Sequence, residues 1–267
     1  MSEAGEFSRN PEARLWGHMT VEEIGDALKE TQTAIIPTGC TEQHGYHLPI
    51  LVDTITAYEV AVATSKAIGC FALPPLHYSY SGGGLNGTVD LSPGLTAAVL
   101  TDIGGSLARQ GVRNIIFVHG HCGTENVTAH QMAIPVLYKL APEARLAVVP
   151  IYKLSETWQA AVQEKDYHAG FIETSLILHL RPELVRDKPK WLVDTPEARA
   201  IPDQDAWAET VHKSENEYVV PLKRMKSHVK IGVWGDPSRS DPALGKKVFD
   251  ECVAAMVKLV QDMEAGR

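Results

Sequence analysis

The chain has 267 residues, 44% of them hydrophobic and 22% charged, with a formal net charge of −8 at pH 7. That composition suits a globular α/β chain, and an acidic balance without a basic stripe argues against nucleic-acid binding. No apolar run is long enough to span a membrane, Met1 to Arg14 lacks a signal-peptide pattern, and Cys40, Cys70, Cys122 and Cys252 form no CxxC pair, so a reducing, cytoplasmic setting is expected.

Residues 1–14 read as a flexible arm. Thr20 followed by Glu23 is a capping box that opens a helix to about Lys29. The apolar run 33–37 predicts a strand, followed by the loop Thr38-Gly39-Cys40-Thr41-Glu42-Gln43-His44-Gly45-Tyr46-His47-Leu48-Pro49, and Asp53 starts a helix to about Ile68. Phe71–Leu73 predicts a strand, and 77–93 is irregular and glycine-rich. A helix over 95–110 leads to a strand over 114–118, the loop His119-Gly120-His121-Cys122-Gly123, a helix over 124–140 and a strand over 146–151. Helices are expected over about 154–163, from Phe171, and over 242–264. The proline-bearing stretch 182–230 reads as a lid or an oligomer-contact excursion, not a separate domain.

Strand, loop and helix repeat, which predicts a single α/β domain with a mostly parallel sheet covered by helices. Right-handed crossovers put the strand carboxyl ends on one edge, where open α/β sheets bind ligands. The loops with Glu42 and His121 both follow strands directly, so both are expected there.

Three segments carry candidate chemistry: Glu42-Gln43-His44 with Asp53, His119-Gly120-His121, and His168-Ala169-Gly170 with Glu173. They supply imidazoles and carboxylates, a mixture that zinc, manganese or iron(II) accepts. Five ligands with one bridging carboxylate would suit a two-metal site. Each residue also has a plainer reading. An acid in a helix's first turn, as at Glu173, is stabilised by the helix dipole without metal, and His168 could close a turn. The Gly82–Gly87 run lacks the strand-then-helix context and the Lys-Ser/Thr of a phosphate loop. It reads instead as a substrate-lining loop, with Tyr78, Tyr80 and Asn86 as candidate contacts. Cys122 reads as packing.

The motif Pro-Thr-Gly-Cys-Thr-Glu-Gln-His-Gly-x-His-Leu-Pro with Asp53, the Gly-His ending a strand, the His-Ala-Gly-x-x-Glu-Thr-Ser and the Gly-x-x-Gly-Asp-Pro at 232–237 together resemble the creatininase (creatinine amidohydrolase) family, from about Leu15 to Glu264. The resemblance implies a three-layer α/β/α fold and two divalent metal ions per chain (zinc, manganese or iron). It also implies a homohexamer, and hydrolysis of a small cyclic amide or an N-formyl amide by a hydroxide held between the metals. By position, Glu42 and His121 would bind the first metal, His44 and Glu173 the second, and Asp53 both. His168 would be the acid/base, a role an imidazole suits because it titrates near neutral pH.

The chain also departs from the family pattern. His119 replaces an Asn and is expected behind the ligands, or as an extra one. The acid that creatininase places two residues after its metal-binding His falls on Gly123, with Glu125 nearby as a candidate substrate contact. Phe171 stands where relatives often have Glu, and the tryptophans that cover creatinine lack counterparts, with Glu164 at one such position. Creatinine itself is therefore not expected as substrate. Two other readings remain open: ring opening of a cyclic diketone or keto-inositol at a carbon–carbon bond, and a non-catalytic metal- or ligand-binding protein.

Overall fold

The structure is a computed structural model that describes residues 12–194, 208–227 and 229–267. Most of the expected arm, residues 1–11, lies outside them, as do 195–207 and His228 of the expected lid. In chain order the elements are β1 (Arg14–Leu15), α1 (Val21–Ala27), β2 (Thr33–Thr38), α2 (Val52–Ile68), β3 (Phe71–Ala72), α3 (Pro93–Arg109), β4 (Asn114–His119), α4 (Thr124–Leu140), β5 (Arg145–Pro150), α5 (Glu156–Gln163), α6 (Phe171–Leu180), β6 (Ala208–Val211), β7 (Leu222–Met225) and α7 (Pro242–Glu264). Arg14, at the end of the expected arm, is therefore part of an edge strand, paired with Phe71.

Strands β1 to β5 form one parallel sheet in the order β1-β3-β2-β4-β5. Alternation along β2 and β4 separates two apolar layers. Ile35, Ile116 and Val118 face one side, where α2, α6 and α7 cover them through Val60, Ile172, Leu176, Val248 and Met256. Ala34, Ile36, Ile115 and Phe117 face the other, under Leu100 and Leu107 of α3 and Ala133 and Leu137 of α4. The fold is thus a three-layer α/β/α arrangement. Buried on both faces, β2 and β4 are apolar between their polar end residues, as central parallel strands are.

This topology fixes where the site lies. β2 is followed by α2 on one face and connects to β3 on its left, whereas β4 is followed by α4 on the opposite face and connects to β5 on its right. The crevice between the carboxyl ends of β2 and β4, paired at Thr38 and His119, is therefore the switch point of the sheet, the place such folds use for ligands.

Two further segments close over that edge. Trp234 forms an antiparallel bridge with His168. The Asp194 carboxylate accepts the N–H groups of Lys230, Ile231 and Gly232, which fixes the approach to that bridge. Within the expected lid, β6 and β7 pair antiparallel, with Glu209 opposite Arg224.

Candidate metal centre

Asp53 occupies the first turn of α2, with its carboxylate buried between two histidines. Its Oδ1 lies 3.3 Å from His44 Nε2, and its Oδ2 lies 3.5 Å from His121 Nδ1. A second carboxylate accompanies each histidine. Glu173 Oε2 is 3.7 Å from His44 Nε2, and Glu42 Oε2 is 2.7 Å from His121 Nδ1. The five residues brought together are those named from sequence as ligands, in two groups that share Asp53.

Local structure fixes each donor. The His44 Nδ1–H donates to the Glu42 carbonyl at 3.0 Å, so a neutral ring turns its lone pair, on Nε2, toward Asp53 and Glu173. The His121 carbonyl accepts from the Asn126 side chain at 2.9 Å and from His119 Nδ1 at 3.0 Å, which holds the turn that presents His121. Gly120, just before it, packs on the Asp53 backbone so closely that a Cβ there would overlap the Asp53 carbonyl oxygen. Glu173 lies in the first turn of α6, where the helix dipole favours an acid. Its Oε2 also accepts from the Ala169 N–H at 2.5 Å.

The electrostatics are those of a site that draws in positive charge. Burial presses His44 toward neutrality, but Asp53 beside it prevails and raises its pKa to about 9. His121 is likewise raised against its burial, chiefly by Glu42. Asp53 is lowered despite burial by His44 and His121, whereas burial pushes Glu173 up to about 7. Without another cation the site must recruit protons onto its histidines. Glu42 Oε2, His44 Nε2 and Asp53 Oδ2 are buried and make no well-aligned hydrogen bond, although they lie close to one another and to His121. Buried oxygen and nitrogen atoms that converge in poor mutual alignment fit a divalent metal between them.

His168 stands directly over the donors. One ligand atom each of Glu42, His44 and His168 lies within 4.8 Å of the others, and the His44 and His168 ring centroids are 4.3 Å apart. His168 Nε2–H donates to the Gln43 carbonyl at 2.8 Å, which places the lone pair of the neutral ring on Nδ1. Burial pushes its pKa down to about 4. The turn that carries it depends on Asp166, whose carboxylate accepts the N–H groups of Phe171 and Ile172 at 2.9 Å and caps α6.

Sequence reasoning did not single out several residues now seen at the site. Cys40 Sγ lies within 4.8 Å of donor atoms of Asp53 and His121. It sits 3.0 Å from Ser79 Oγ, with its thiol pushed up to about 12 by burial. A cavity of about 700 Å³ opens over the donors, lined on one side by Tyr152, Trp158, Tyr167 and Trp234 and on another by Arg224 and Met225 of β7. Two tryptophans therefore do face the cavity, although none stands at the position of Glu164, which pairs with Arg239 at 2.8 Å. These residues converge only through tertiary structure, and their sequence spacing carries no signal.

Of the candidate substrate contacts, Tyr80 and Glu125 line the cavity, whereas Tyr78 and Asn86 are exposed and are not among its lining residues. His119 is fully buried behind His121, its ring 4.6 Å from that of His130. It stands outside the donor groups, and burial pushes its pKa down to about 3. Gly123 has no room for an acid, since a side chain there would run into His121 Nε2. Phe171 is a core residue with the Arg239 guanidinium 4.0 Å over its ring. Cys122 lines the cavity, but burial pushes its thiol up to about 12.

Fold and site together describe an α/β protein with a buried cluster of metal-ligand residues at the carboxyl edge of its sheet. A family model for creatininase, described as creatinine amidohydrolase, matches residues 17–260, and the chain belongs to this family of hydrolases. Among its relatives, the mycofactocin precursor peptide peptidase of Mycolicibacterium smegmatis is 30% identical over 244 residues, 87% of this chain and 86% of that protein. The 3-dehydro-scyllo-inosose hydrolase of Thermotoga maritima is 28% identical over 202 residues, 69% of this chain and 61% of that protein. Solved creatininases share the fold. A manganese form matches with a TM-score of 0.75 and a variant of Zn-Zn type with 0.76, each at 22% identity and covering 94% of this chain and 98% of its own.

Proposed function

We propose that the chain is a dinuclear metal-dependent amidohydrolase that opens a cyclic amide or cleaves an N-formyl amide, and that creatinine is not its substrate. The observation that carries this reading is the placement of Asp53 between the His44/Glu173 pair and the His121/Glu42 pair, one oxygen to each. Glu42, His121 and Asp53 would hold one ion, and His44, Glu173 and Asp53 the other. Divalent ions so held supply an activated water and an electrophile for the carbonyl oxygen.

The remaining chemistry falls to the protein. His168 is neutral, with Nε2–H committed to Gln43, so Nδ1 takes up a proton and returns it to the departing nitrogen. Trp158, Tyr167 and Trp234 offer an apolar surface against which a substrate body can pack. The cavity admits a body larger than one small ring, which fits the distance from creatinine.

Ring opening of a keto-inositol at a carbon–carbon bond is favoured by the likeness to the inosose hydrolase. The lining also offers Ser81, Thr124, Glu125 and the Tyr80, Tyr152 and Tyr167 hydroxyls, groups that a polyhydroxylated ring would use, so the turnover screen below decides between the two. Cytoplasmic action fits four free cysteines. The exposed apolar stripe Met132, Val136 and Leu140 on α4 fits self-association; the homohexamer itself rests on the family resemblance, and light scattering tests it.

Turnover by metal-loaded wild type and His168→Ala, across N-formyl amides, cyclic amides and cyclic ketones, tests the function. Activity on an amide that falls about 10²- to 10⁴-fold in the variant, with metal retained, supports it. Activity on ketones alone favours the second reading, and silence of wild type on all three favours a binding protein.

A further inference from the structure

The cavity has an uneven charge pattern. Its floor carries Glu42, Asp53 and Glu173, the ligands assigned above, Glu125 also lines it, and Tyr152, Trp158, Tyr167 and Trp234 carry no charge. Among the described residues that line it, Arg224 is the only lysine or arginine. Arg224 comes from β7, on the hairpin that lies over the glycine-rich loop. A Cβ on Gly84 would touch the Met225 side chain, and one on the neighbouring Gly83 would lie 3.4 Å from Glu42 Oε1. The glycine-rich loop thus meets the hairpin at Gly84 and Glu42 at Gly83.

Among the described residues, Arg224 pairs with one carboxylate. Glu209, directly opposite on β6, accepts its Nε–H at 2.7 Å. A guanidinium carries its other N–H donors on the two terminal nitrogens, in the planar fork that matches a carboxylate. An exposed ion pair of this kind adds little to hairpin stability, so pairing alone gives no reason for a cation to line an otherwise acidic and aromatic cavity.

We propose that Arg224 is a specificity-determining residue that binds a carboxylate carried on the substrate's body, while the scissile amide carbonyl lies at the donor cluster and the body lies along Trp158, Tyr167 and Trp234. This deepens the amidohydrolase reading and rests on it. The substrate class is an amide with an apolar or aromatic body and a carboxylate on the amine side of the bond that breaks, of which N-formyl-L-phenylalanine is a representative. Its hydrolysis adds the OH of water to the formyl carbon and a proton to nitrogen, giving formate and phenylalanine.

The test separates recognition from turnover. Metal-loaded wild type, Arg224→Gln and Arg224→Lys are titrated calorimetrically with 3-phenylpropionate and with 3-phenylpropan-1-ol, which share a body, differ in charge and cannot be hydrolysed. Wild type is expected to bind the carboxylate about tenfold or more tighter than the alcohol, the scale of a charge-assisted pair. That preference should disappear in Arg224→Gln and partly return in Arg224→Lys. A preference that survives in Arg224→Gln would place the carboxylate on the metals and overturn the proposal. So would equal binding of the two probes, or binding of neither, by wild type. Hydrolysis of N-formyl-L-phenylalanine and its C-terminal amide is followed alongside. Arg224-dependent binding with no hydrolysis retains the carboxylate site, and removes the hydrolase reading when wild type is also silent on the amides and ketones above. Equal hydrolysis of both, unchanged in Arg224→Gln, retains the hydrolase reading and removes the carboxylate site.

Discussion

Gly120 and Asp53 touch backbone to backbone: any side chain at 120 would occupy the position of the Asp53 carbonyl oxygen. Through this contact the loop after β4 and the start of α2 stay close enough for His121 and Asp53 to face one another at 3.5 Å. Gly120→Ala is therefore expected to separate the two donor groups. Overpacking of this kind costs about 1–3 kcal/mol, and bound metal should fall with the melting temperature. A variant with wild-type metal content and stability would contradict this contact's role.

Asp166 touches no donor of the cluster, yet it sets the turn from which His168 and Glu173 project. Asp166→Ala removes acceptors from the Phe171 and Ile172 N–H groups. Loss of this cap is expected to cost about 1–2 kcal/mol. It should lower kcat more than it raises KM, because His168 loses its alignment while the cavity wall stays. Chemical denaturation and steady-state kinetics check the two parts separately.

His130 is fully buried, with Nδ1–H donating to the Asn126 carbonyl and Nε2 accepting from the Thr38 hydroxyl, each at 2.8 Å. The neutral ring satisfies both bonds, and burial disfavours the charged one. Burial pushes its pKa down from 6.5 to about 4. A folded pKa below the unfolded value means that the stabilising contribution is fully present above pH 6.5 and is lost as pH falls through 6.5 toward 4. The loss amounts to about 3 kcal/mol. Melting of chelator-treated protein should fall over that window, and the slope should flatten in His130→Gln. An unchanged slope in the variant would assign the acid transition elsewhere.

Much of this arrangement is legible in the sequence because it is local. The apolar runs of β2 and β4, the capping box at Thr20, and the placement of Glu42 and His121 directly after strands can each be read from neighbouring residues. They suffice to put both loops at one edge. The two residues of β1 form a strand only because Phe71 lies beside them, and no short-range pattern announces that. The cavity wall is less legible still. Trp158, Trp234 and Arg224 come from three separate segments, and only the bridge between His168 and Trp234 and the folding of the β6–β7 hairpin bring them to one cavity. The sequence therefore exposes the candidate ligands, whose residue types coordination chemistry dictates, and conceals the cavity wall.

Cys122 lies beside a ligand and lines the cavity, which invites the role of nucleophile. Burial holds its thiol at about 12, and its Sγ lies 3.4 Å from the Gly120 carbonyl, so it is protonated at neutral pH. Only the thiolate is a competent nucleophile. Cys122→Ser is expected to keep kcat/KM within about threefold of wild type, since no thiolate takes part. A loss comparable to that of His168→Ala would overturn the reading of Cys122 as packing.

The central claim is that Asp53 joins two metal sites, and metal content tests it most directly. Protein purified without chelator, and Asp53→Ala prepared in parallel, would be analysed for bound divalent metal per chain. The bridging arrangement predicts close to two ions in wild type, as in dinuclear hydrolytic sites of this ligand chemistry, and a fall toward none in the variant. Wild type that neither carries nor takes up divalent metal, or a variant that retains the wild-type content, would contradict it.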